Sequence, residues 1–61
     1  MITKCWIIEN SAESASAVTA IEKTFPCFTL LDLLDDYYIE FNVTCRVEDV
    51  VAIAAMISAF V

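Results

Sequence analysis

The chain has 61 residues, with nine Asp and Glu against three Lys and Arg, for a net charge of −6. That balance argues against direct binding to nucleic acid or to an anionic membrane surface, both of which require basic patches. One domain over residues 1–61 is expected, and a domain this short buries only about 60% of its unfolded surface, so its core gains from a disulfide, a metal or a partner chain.

Thr3 to Glu9 is bulky and β-branched and reads as a strand, with Trp6 expected in the core. Asn10 stands where a helix N-cap belongs, with Glu13 three residues on as the capping-box acid. From Ser11 to about Thr24 the pattern is helical, and Ser14, Ala17, Val18, Ile21 and Phe25 share one face. Pro26 stops this helix, because the residue before a proline avoids the α region.

Phe28 to Leu34 reads as a strand, although Leu30 to Asp36 also suits a short helix. Tyr38 to Cys45 alternates Ile39, Phe41, Val43 and Cys45 with Glu40, Asn42 and Thr44, which marks a half-buried strand. A turn near Asp35-Asp36 joins the two as a hairpin. The chain has no glycine, so Asn and Asp must fill any turn position of positive φ. Val47 to Phe60 is expected as the last helix, with Glu48 and Asp49 in its first turn. Val47, Val50, Ile53, Ala54, Ile57 and Val61 form its core stripe, and Ala52, Ala55 and Ala59 a second stripe that suits a close pass against the first helix or a dimer contact.

The resulting order is β-α-β-β-α, an α+β class. A right-handed crossover followed by a hairpin gives a three-stranded antiparallel sheet with two helices on one face, a truncated ferredoxin-like arrangement. The last hairpin strand lies in the middle, and the first strand is a free edge.

The residue types set several chemistries aside. Cys5, Cys27 and Cys45 are odd in number and widely spaced, and there is no histidine, so neither a disulfide framework nor a zinc site is expected. The thiols are read as free and buried. Without a histidine base or a glycine loop for phosphate, no catalytic residues and no cofactor are assigned. Asp32, Asp35 and Asp36 lack the spacing of a calcium loop. Hydrophobic residues make up 61% of the chain, yet the longest uncharged apolar run, Val50 to Val61, is well short of the about 20 residues of a spanning helix. The first ten residues show no signal-peptide hydrophobic stretch, so a cytoplasmic protein is expected and the Asn42-Val43-Thr44 sequon is taken as accidental.

Topology then sorts the charges. Glu9, Glu13, Asp35 and Asp36 meet at one pole, with Asp32 and Glu40 nearby on the hairpin. Lys4, Lys23 and Arg46 go to the other end with Glu22, Glu48 and Asp49, and cancel them. The whole net charge therefore sits at one end, which favours a basic partner. Tyr37 and Tyr38, beside the acidic tip, are candidate interface aromatics. The domain should have a radius of gyration of roughly 10–11 Å. Alternate strand residues lie about 6.6 Å apart, a scale on which a carboxylate row can imitate part of one strand of phosphates.

A very small, acidic, glycine-free chain of mixed α/β order resembles the phage-encoded anti-CRISPR proteins that imitate DNA. The resemblance covers size, charge and overall character, not a motif. It implies an inhibitor of a CRISPR effector complex, a basic nucleic-acid-binding partner, which would be blocked through Asp32, Asp35, Asp36, Glu40, Glu9 and Glu13 without catalysis. An inhibitor of another DNA-handling enzyme would use the same pole. A different class of function, a self-associating homodimeric structural or regulatory module, is favoured by the free edge, the alanine stripe and the apolar excess.

Overall fold

A computed structural model describes residues 1–61. It orders them as β1 (Ile2–Glu9), α1 (Ala12–Thr24), β2 (Cys27–Leu33), β3 (Tyr38–Cys45) and α2 (Val50–Ile57), with 3₁₀ turns at Val47–Asp49 and Ser58–Phe60. The sheet order is β1-β3-β2 with both pairs antiparallel, so the second hairpin strand is central and both β1 and β2 are edges. This is the β-α-β-β-α arrangement that the sequence implies.

Register fixes the two faces. Trp6 opposes Phe41, Ile8 opposes Ile39, and Cys27 opposes Cys45. Strand alternation then puts these residues, with Val43 and Leu31, on the helix side. Ile8, Phe41, Val43 and Cys45 from the sheet close on Val18, Ile21, Ile53 and Ile57 from the helices as one buried cluster. The Trp6 ring stacks beside Phe41 with centroids 6.2 Å apart, covering the β1 edge of that core.

The start of α1 differs from the sequence expectation. Ser11, not Asn10, is the N-cap, and its capping-box partner is Ser14, not Glu13. The Ser14 amide donates to Ser11 Oγ at 3.1 Å, and the Ser11 amide donates to Ser14 Oγ at 3.2 Å. The Ser14 hydroxyl also donates to the Glu9 carbonyl oxygen at 2.5 Å, tying the end of β1 to the helix. Ser14 is fully buried, and only a short hydroxyl can make these contacts there. Asn10 is thereby released for another role, described below. At the other end Phe25 is extended (φ −120°, ψ 145°), as Pro26 demands, and its amide still bonds the Ile21 carbonyl at 3.0 Å.

Leu30 to Asp36 is not helical: β2 runs to Leu33, and a turn follows. No residue has positive φ, so the tip closes without the left-handed positions that glycine would supply.

The last helix is shorter than expected and interrupted. Arg46 is extended, and a 3₁₀ turn over Val47–Asp49 precedes α2. A 3₁₀ turn advances about 120° per residue against about 100° in an α-helix, which carries Val47 out of the core stripe. Val47 is 67% exposed. Past Ile57 the chain tightens again, and Val61 also lies outside the core. Only Ile53 and Ile57 of the expected stripe are fully buried. Ala52, Ala55 and Ala59 are exposed, so they do not form the close pass against α1. Of the three thiols, Cys45 alone is buried; Cys27 is half-buried and Cys5 exposed. No helix is long and apolar enough to cross a membrane.

Candidate acidic interaction surface

The hairpin tip is built by one carboxylate. Asp35 Oδ1 accepts from the amides of Tyr37 (2.7 Å) and Tyr38 (2.9 Å), closing the turn in place of a glycine. The Leu34 amide donates to the Tyr38 carbonyl at 3.1 Å and completes it. Asn10 then clamps the tip to the first crossover. Its amide donates to the Tyr37 carbonyl at 2.8 Å, and its side-chain Nδ2 donates to the Asp36 carbonyl at 3.4 Å. The residue expected to cap α1 instead fixes where the two acidic segments meet.

Around this clamp lies an open cleft of about 280 Å³ lined by Glu9, Asn10, Ser11, Asp36, Tyr37 and Tyr38. Four of the sequence-derived candidates (Glu9, Asp36, Tyr37 and Tyr38) therefore share one site. Asp32 and Glu40 stand directly opposite each other on β2 and β3. They lie on the sheet face away from the helices, where Glu9 and Tyr38 also fall by register. Glu40 accepts from Asn42 Nδ2 at 3.0 Å on that face. Glu13 is exposed in the first turn of α1, behind the sheet, and does not line the cleft. The six acids thus divide into a sheet-face group (Glu9, Asp32, Glu40), a tip pair (Asp35, Asp36) and Glu13 on the helix layer.

Charge pairing is confined to the other end. The protein's ion pairs are Arg46 with Asp49 at 2.9 Å and Arg46 with Glu48 at 3.7 Å. Asp49 is buried beneath that contact. Its hydrogen bond and charge hold the Arg46 guanidinium above its ordinary pKa. Thr29 hydroxyl bonds the Glu22 carboxylate, again away from the tip. None of Glu9, Glu13, Asp32, Asp35, Asp36 and Glu40 has a cationic partner.

No three Cys, Asp or Glu side chains are grouped as a bound metal ion would need. Asp35 is committed to the turn, while Asp32 lies on the strand beside Glu40. The structural roles of Asn10, Ser14 and Asp35 go beyond what the sequence pattern suggests. The signal for Asp35 was present: an Asp two residues before Tyr37 is the spacing of a side-chain-to-backbone turn. No family model, curated protein or solved structure matches the chain.

Proposed function

We propose that this protein is a non-catalytic inhibitor that presents its acidic tip and sheet face to a basic nucleic-acid-binding site. The observation carrying this reading is the charge layout. Six carboxylates without cationic partners occupy one end and one sheet face, while both ion pairs sit at Arg46. Two of these acids, Asp32 and Glu40, oppose each other across the ladder, an arrangement that costs stability. A surface serving only solubility gains from interspersed signs. A basic groove compensates that cost on binding, and the exposed Tyr37 and Tyr38 supply flat contact area beside the charges.

Within this reading the target is a CRISPR effector complex, in keeping with the resemblance in size and charge to DNA-imitating anti-CRISPR proteins. The inhibitor would occupy the channel that receives target DNA and exclude it sterically. Its longest dimension is 31 Å, which spans about eighteen phosphate charges of a duplex at one per about 1.7 Å, so six acids imitate part of one strand.

The test is an interference assay paired with target-DNA binding by the purified effector. Reversal of Glu9 and Asp36 to Lys should abolish inhibition while circular dichroism stays native. Asp35 is left intact because its carboxylate holds the turn. Unchanged inhibition by the double reversal refutes the mimic. Inhibition of a different DNA-handling enzyme, with none of the effector, moves the target and keeps the acidic surface.

A further inference from the structure

β2 is an edge strand with little of the usual protection. Edges are normally blunted by lysine, an internal proline, a bulge or a covering element. Cys27–Leu33 contains no basic residue and no proline, and its one charge is Asp32. The other edge, β1, carries Lys4 and Glu9. β2 also exposes apolar side chains on both faces. Phe28 (76% exposed) and Leu30 (60%) stand on the open face, and Leu31 and Leu33 (68%) on the helix side beyond the reach of the core, followed by Leu34. Taking an aromatic or leucine residue at roughly 180–200 Å², this edge leaves about 500 Å² of apolar surface in water. This surface wraps the edge from one sheet face to the other, and its size matches the largest apolar patches of monomeric proteins, which are often interaction sites.

We infer that β2 pairs with β2 of a second copy, antiparallel and centred on Leu30, to form a continuous six-stranded sheet. Three features select this occupant. The first is area. The apolar edge supplies at most about 500 Å² beside the unpaired backbone, against the about 800 Å² per partner of a standard interface. The second is register. Pairing all of Cys27–Leu33 with itself places Leu30 against Leu30, Phe28 against Asp32, and Leu31 against Thr29 of the second copy. On the open face the two Leu30 side chains then meet on the axis, each with the Phe28 of the other copy diagonal to it, and on the other face Leu33 gains Cys27. The third is charge. Each copy carries −6, so association must keep the acidic poles apart. Because β2 runs toward the tip, antiparallel pairing sends the two tips to opposite ends, roughly 24 Å or more apart for seven residues at about 3.4 Å each. That is about three Debye lengths at physiological salt. The two Asp32 carboxylates are separated by about 13 Å along the same seam. The acidic cleft stays free in this arrangement, so the pairing stands independently of what the acids bind.

Light scattering after size exclusion at about 100 µM, with circular dichroism of each variant, tests the pairing. The expected mass is twice the 6.8 kDa of one copy. Leu30→Lys sets two lysines face to face on the symmetry axis and should give a native-spectrum monomer. Val51→Lys, on the exposed side of α2, should leave the dimer intact. In a Cys5→Ser background, Leu30→Cys should be captured as a covalent dimer by diamide oxidation, and Val51→Cys should not. A monomeric wild type at this concentration overturns the inference. So does a dimer that survives Leu30→Lys, or one lost on Val51→Lys alone. If Leu30→Lys disturbs the fold, failure of the Leu30→Cys crosslink overturns it equally.

Discussion

Replacing Asp32 by asparagine should stabilise the protein, and the size of the gain follows from the ladder. Asp32 and Glu40 are direct cross-strand partners. Such pairs hold their Cβ atoms about 4.5–5.5 Å apart, which puts the carboxylates near 6 Å. Two unit charges at that distance repel by about 0.7 kcal/mol in a water-like dielectric, and more where Glu40 is half-buried. Screening over a Debye length of about 8 Å removes roughly half of this at physiological salt. A gain of about 0.35 kcal/mol remains, within the 0.2–1 kcal/mol range of cross-strand pairs. For a domain near this size that corresponds to a rise in Tm of about 1.5–3 °C. The assay is thermal unfolding of wild type, Asp32→Asn, Glu40→Gln and the double variant, at low salt and in about 1 M NaCl. Either single change should capture most of the gain, the double should add little, and 1 M salt should erase the difference. The Asn42 contact survives in the glutamine variant, because its amide oxygen still accepts. An Asp32→Asn protein no more stable than wild type at low salt refutes the repulsion. A gain indifferent to salt does the same.

Ser14→Ala removes the buried hydroxyl that bonds the Glu9 carbonyl and the Ser11 amide, and should cost about 1–2 kcal/mol by urea unfolding. Asp35→Ala should cost about 1 kcal/mol and loosen the tip, seen as faster amide exchange at Tyr37 and Tyr38, whereas Asp36→Ala should leave both unchanged. Alkylation followed by mass spectrometry should modify Cys5 first and Cys45 only on unfolding. Burial raises the Cys27 pKa above its ordinary value. The unfolded thiol therefore ionises at lower pH than the folded one, and the stability tied to Cys27 should be intact below about pH 8.5 and decline at higher pH. Cys27→Ser should flatten that decline.

The element order and the central position of β3 were legible because they rest on period and on chain direction. Alternation in Tyr38–Cys45 sets one face of that strand, and Pro26 ends α1 whatever lies around it. The two-sided apolar run CFTLLDL carried less information. A helix and a strand both accommodate its leucines, and pairing with β3 decides the matter. The hairpin turn falls at Asp35-Asp36 as expected, but the α1 cap was misassigned, because several polar residues compete there. Asn10, Ser11 and Glu13 all suit a helix start, and the choice fell to Ser14, whose small side chain fits a fully buried position that Glu13 cannot occupy. Val47 and Val61 were misplaced because one helical phase was carried through two 3₁₀ turns, a change of pitch that no composition signal announces. The acidic candidates separate in the same way. Glu9 and Asp36 come together through Asn10, a contact between residues far apart in sequence, while Glu13 lies only one helical turn along and faces elsewhere.

The hairpin also explains how so small a core tolerates its charges. Asp35 and Asp36 lie in the turn beyond the buried cluster, while Asp32 and Glu40 face away from it on the open side of the sheet. Phe41, Val43 and Cys45 fill the core at one end of β3, while Tyr38 and Glu40 stand at the other. Repulsion among the acids therefore strains the tip more than the core, and the Asn10 clamp and the Asp35 turn oppose it locally. Removing the clamp separates the two effects. Asn10→Ala leaves the α1 cap untouched, because Ser11 and Ser14 form it, and the Asn10 amide still bonds Tyr37. Only the side-chain bond to Asp36 is lost, a long and exposed contact worth a few tenths of a kcal/mol. Global stability should barely move, while amide exchange at Asp36 and Tyr37 should quicken, most at low salt where the acids repel hardest. Equal quickening throughout β3 would mean that the tip and the core unfold as one unit, and the division between them would fail.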